Sequence, residues 1–114
     1  MYPLPPRWRD FVKMTNNWSE ILPGGQTVQR GLGDMREGRR TIFSCLVAIG
    51  QNRLRRAGLL DREPTIPEPE RQLYRLLRAE GGDAYSRYNS LLRELASFEQ
   101  ALDRIATAGS DPLQ

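Results

Sequence analysis

The sequence predicts an all-α protein, a single small helical bundle of four to five helices. Three observations predict it. No stretch alternates apolar and polar residues with the period of a strand. The residues Ala84, Tyr88, Leu91, Leu95, Phe98, Leu102 and Ile105 recur at spacings of four and three, a seam sustained over about three heptads. Glycine and proline punctuation divides the rest of the chain into segments of helical length.

Met1 to Pro6 holds three prolines, and Pro5-Pro6 suits the first turn of a helix expected over 7–14. Trp8, Phe11 and Val12 share one face of that helix. Thr15-Asn16-Asn17 interrupts it, and Trp18, Ile21 and Leu22 form a second apolar cluster before a Pro23-Gly24-Gly25 turn. Gly31 and Gly33 leave residues 26–33 as a loop or a weak helical turn. Asp34 and Glu37 have capping-box spacing, so a central helix is expected over 34–57 with Gly58 as its stop. Its apolar residues, among them Ile42, Phe43, Cys45, Leu46, Val47 and Ile49, cover more than half the helical circumference. That distribution predicts burial on two sides, with Gly50 as a point of kinking or fraying. Residues 59–68 form a proline-rich linker. Pro67 or Pro69 then opens a helix ending at Glu80, with Leu73, Leu76 and Leu77 as its buried stripe. Gly81-Gly82 ends it, and Asp83 caps a last helix expected to run to about Ala108, with Gly109 as its stop. Residues 1–114 thus read as one domain with flexible ends at 1–6 and 109–114.

At 114 residues the chain has room for one core. It contains no histidine and one cysteine, which removes the commonest general base, the Ser–His and Cys–His nucleophile pairs, and zinc sites built from Cys and His. Cys45 lies amid Ile42, Phe43, Leu46 and Val47 and reads as a small core residue. No glycine run has the form of a phosphate-binding loop. Glu99 and Asp103, one turn apart, lie off the seam and are expected on a solvated face. The expectation is a non-enzyme without metal or cofactor. The longest mainly apolar run, 42–49, is too short to cross a bilayer, and the start resembles no secretory signal, so a cytoplasmic protein with a free thiol is expected.

The basic residues carry more information. Sixteen of the 17 are arginine, and residues 1–56 hold a net charge of +6 against −3 for 57–114. Arginine's planar fork suits phosphate, although a coding bias would also enrich it. Arg71, Arg75 and Arg78 are spaced four and three apart and form one stripe opposite the leucines. Arg36, Arg39 and Arg40 cluster near the start of the expected central helix, and Arg53, Arg55 and Arg56 at its end. Clustered arginines on helix faces are the footprint of contacts to a nucleic-acid backbone. A solvated face partly paired with Glu68, Glu70 or Glu80 is the plainer alternative. Tyr74 and Tyr85 fall off the apolar stripes, where they suit base stacking, a neighbouring subunit or plain exposure.

The run Pro69-Glu70-Arg71-Gln72-Leu73-Tyr74-Arg75-Leu76-Leu77-Arg78-Ala79, followed by Leu91-Leu92-Arg93-Glu94-Leu95, resembles the small subunit of CRISPR Cascade-type effector complexes. Residues 41–50, Thr-Ile-Phe-Ser-Cys-Leu-Val-Ala-Ile-Gly, are similar to the buried helix preceding those elements in that family. Its members are usually longer, with a further C-terminal helical portion, so this chain resembles a short or divergent form. The resemblance implies a non-catalytic antiviral-defence subunit of a crRNA-guided ribonucleoprotein. Copies would pack head to tail against other subunits and present a basic surface to RNA or single-stranded DNA. Two alternatives stay open. One is a phage- or plasmid-type adaptor or inhibitor acting through protein–protein contacts of the 84–105 seam. The other is a small DNA-binding regulator with Gly81-Gly82-Asp83 as the turn between two helices.

Overall fold

The computed structural model describes residues 18–61 and 66–110, and side chains to residue 104. The expected helix over 7–14, the segment 1–6, most of the expected flexible C-terminal end and the side chain of Ile105 lie outside the described residues. The described part is all-α, as the spacing predicts, and contains no strand. Six helices follow in order: α1 (Trp18–Ile21), α2 (Gly25–Arg36), α3 (Ile42–Ile49), α4 (Gln51–Arg56), α5 (Pro69–Glu80) and α6 (Ala84–Ser110).

The expected central helix over 34–57 is not one helix. Its first residues, Asp34 to Arg36, are the last of α2, which runs straight through Gly31 and Gly33. The 26–33 segment is helical despite its two glycines, and Gly31 lies at a crossing. A Cβ there would collide with the Phe43 carbonyl and a Val47 methyl of α3, so the two backbones meet where only hydrogen fits. The helix start falls at Thr41 instead of Asp34. Thr41 Oγ1 accepts a bond from Ser44 N (3.1 Å), and Ser44 Oγ accepts one from Thr41 N (2.8 Å), a reciprocal box that opens α3. Gly50 separates α3 from α4.

α3 is the centre of the bundle, packed on α2, α5 and α6. Ile42, Ser44, Cys45, Leu46, Val47 and Ala48 are all buried there, so the expectation of two-sided burial holds for this shorter helix. One core joins these residues to Val28 and Leu32 of α2, Leu54 of α4, Leu73 and Leu77 of α5, and Leu95, Phe98 and Leu102 of α6. The Trp18 ring meets that of Phe98 at 5.5 Å between centroids, tilted by 50°. The linker contributes as well: Leu60 is buried, and Leu59 and Ile66 pack against the core.

α5 begins with Pro69 at its first position, and α6 is capped as expected. Asp83 Oδ1 accepts from Ser86 N (3.1 Å) and Oδ2 from Ser86 Oγ (2.8 Å). These bonds hold the Asp83 carboxyl below its ordinary range. Gly81 and Gly82, with φ of 86° and 78°, reverse the chain in a conformation that costs other residues strain. An ion pair from Arg87 Nη1 to Glu80 Oε1 (2.8 Å) closes the turn. The last helix passes Gly109 and reaches Ser110, beyond the expected stop.

Candidate nucleic-acid interface

The nine arginines that the sequence singles out fare differently in the fold. Arg39 is committed to the α2–α3 corner: it donates to Asp34 Oδ1 at 3.0 Å and pairs with Glu37 at 2.6 Å. Asp34 is buried at the end of α2 and also accepts from Thr41 Oγ1 at 2.7 Å. These two bonds, the Thr41 one foremost, hold its carboxyl below the ordinary value. Arg39 thus belongs to a structural corner. Arg53 reaches across to α6 and pairs with Asp103. Asp103 is exposed, whereas Glu99, expected beside it on a solvated face, is half-buried. A Cβ on Gly50 would come within 2.7 Å of Glu99 Oε2, so this carboxyl sits over the α3–α4 junction. Burial pushes its pKa up, with the nearby Arg53 charge opposing.

Arg36, Arg40 and Arg56 are exposed. Arg36 borders a recess with Leu32, Met35 and residues 58–61, apart from the tyrosines described below. Arg55 is also exposed but has an interaction partner. The three clusters therefore do not form one surface of equivalent, uncommitted charges.

The α5 stripe is different. Leu73 and Leu77 are fully buried, which turns Arg71, Arg75 and Arg78 to the exposed side. Arg71 has an exposed pairing with Glu68 at 3.2 Å, while Arg75 and Arg78 have no partner among the described residues. All three line a groove of about 700 Å³ between α5 and α6, together with Glu70, Tyr74, Tyr85 and Tyr88. Tyr74 and Tyr88 meet edge to face at 5.6 Å between centroids and 85° between planes. Tyr85 is 67% exposed.

Tyr88, expected in the core seam, is thus a half-buried wall of the groove. Two local signals point to this cluster. Tyr85 and Tyr88 share a face at a spacing of three, and residues similarly distant from Gly81-Gly82 on either side must meet when the two helices fold back. Arg30, absent from the sequence-level set, stacks on the Phe43 ring at 4.4 Å and is occupied there.

Cys45 is buried and its thiol is pushed up by burial, the environment of an inert core thiol. Among the described residues no His, Cys, Asp or Glu group is assembled to hold a metal ion, and no helix is long and apolar enough to cross a membrane. No family model, no curated protein and no solved structure matches the chain.

Proposed function

We propose that this chain is a non-catalytic nucleic-acid-binding helical module that meets the phosphate backbone with Arg71, Arg75 and Arg78 and works as a repeated subunit of a ribonucleoprotein assembly. One observation carries the reading. These three guanidinium groups share the exposed face of α5, on the rim of a groove whose floor is aromatic. Arginine forks fit phosphate oxygens, and contacts of this kind are independent of base sequence. Repetition in an assembly follows from the resemblance to the Cascade small subunit together with arithmetic. Three phosphate contacts on one small domain bind weakly, and copies arrayed along one strand gain by multivalency.

The test is to change Arg71, Arg75 and Arg78 together to alanine and titrate a fluorescent single strand against salt. These side chains are exposed, so the thermal melt should stay within about 0.5 kcal/mol of wild type. Affinity should fall equally for all sequences. The slope of log affinity against log salt should flatten by about 2, since each phosphate contact on a single strand contributes about 0.7. Wild-type affinity and slope in the triple variant would exclude these residues from the interface.

A further inference from the structure

The structure assigns the α5–α6 groove as a stacking site for an unpaired nucleobase, with Tyr85 as its platform, so that the ligand is single-stranded nucleic acid. The inference rests on the backbone reading above and narrows it to one class of nucleic acid. Its starting point is that the tyrosines do not share one state. Tyr74 and Tyr88 satisfy each other edge to face. Tyr85, three residues before Tyr88 on the same helix face, lines the same groove but has no ring partner among the described residues and is 67% exposed. A large ring held in water beside an open groove leaves a π-face for another planar group.

Charge selects the occupant. The groove borders Arg71, Arg75 and Arg78 against Glu70, and Glu68 pairs with Arg71 from outside it, so the rim keeps a net positive charge carried by Arg75 and Arg78 while its floor is aromatic. A flat apolar ring attached to a phosphate fits both parts at once. A base inside a duplex cannot, because its faces are covered by its neighbours; only a single strand can turn a base into the groove while its phosphates pass the arginine row. Every base has a π-face, so the site is tolerant of sequence. The volume, about 700 Å³, is ample for a base and part of its sugar.

The experiment uses the full chain and three probes of equal length: a thymidine single strand, the same strand made abasic, and a duplex. Tyr85→Ala should weaken thymidine-strand binding about tenfold, and Tyr85→Phe should retain it. The abasic strand should bind wild type about as weakly as the thymidine strand binds Tyr85→Ala. Duplex binding should be equal in wild type and both variants. Unchanged thymidine-strand binding by Tyr85→Ala, or equal affinity of wild type for the abasic and thymidine strands, overturns the stacking site. It leaves the backbone reading intact if the arginine variant still loses affinity. Loss of no affinity in the arginine variant overturns the backbone reading itself. Wild-type binding to poly-glutamate but to none of the three probes overturns both, and makes the groove a dock for acidic peptide.

Discussion

Gly31 and Gly33 stand two positions apart in α2, and one hydrogen atom means something different at each. A methyl at Gly31 would strike the Phe43 carbonyl and Val47 of α3, whereas one at Gly33 would meet nothing within 4 Å. Gly31→Ala should therefore cost about 1–3 kcal/mol through overpacking. Gly33→Ala should add about 0.5–1 kcal/mol, because alanine loses less backbone freedom in a helix. Urea melts of the two variants should move in opposite directions. Two carboxyls form a second contrasting pair. Asp34 has its folded pKa lowered by Thr41 and Arg39. Its contribution is present above the unfolded value of about 3.9 and is lost as pH falls through the lower folded value. Glu99 has its folded pKa raised by burial. Its ionised form costs stability above that folded value, and the cost disappears once pH falls below the unfolded value of about 4.3. Thermal melts across pH should show Asp34→Asn below wild type at pH 7 and converging with it in acid. Glu99→Gln should lie above wild type at pH 7, also converging in acid.

Among the elements, α6 is unevenly buried along its length. Leu95, Phe98 and Leu102 are buried, whereas Tyr88, Leu91 and Leu92 are only half-buried. Leu95→Asp places an unpaired charge in the core at a cost of several kcal/mol, comparable with the total stability of a small domain, and should abolish cooperative unfolding. Leu91→Asp, with water within reach, should leave a cooperative melt at a lower midpoint. A folded Leu95→Asp monomer that fails only in assembly would make the seam an intersubunit surface. The elements also show where sequence was informative. α5 and α6 were legible because their signals are local: Pro69, the Gly81-Gly82 reversal, the Asp83 cap and an unbroken spacing. The α2–α3 region was not. Gly31 resembles a loop residue until its crossing partner, 12 and 16 positions onward at Phe43 and Val47, is known. The Thr41 cap is inconspicuous beside an apolar run. Likewise the Arg71, Arg75 and Arg78 stripe could be read from spacing alone. The commitment of Arg53 to Asp103, 50 residues away, could not.

For the molecule as a whole, the nine arginines divide into an exposed α5 row on the rim of the groove, two that ion pairs tie to the scaffold, Arg39 and Arg53, and four exposed elsewhere, Arg36, Arg40, Arg55 and Arg56. The scaffold itself is tied by contacts between distant parts of the chain. Thr27 Oγ1 donates to Glu94 Oε1 at 2.7 Å, and a Cβ on Gly24 would lie 2.6 Å from the Glu94 carbonyl. The Trp18–Phe98 ring contact belongs to the same junction of α1 and α2 with α6. This junction has a kinetic consequence. Its partners are 67 residues apart at Thr27–Glu94 and 80 at Trp18–Phe98, so closing it requires a large loop, while the α2–α3 and α5–α6 pairs need only short ones. The short pairs should form first and the Trp18–Phe98 clasp last. In stopped-flow refolding, Phe98→Leu should accordingly leave the folding rate near wild type and appear almost wholly as faster unfolding. The lifetime of the native state is then governed by a ring contact between α1 and α6, and the rate of reaching it by the hairpins.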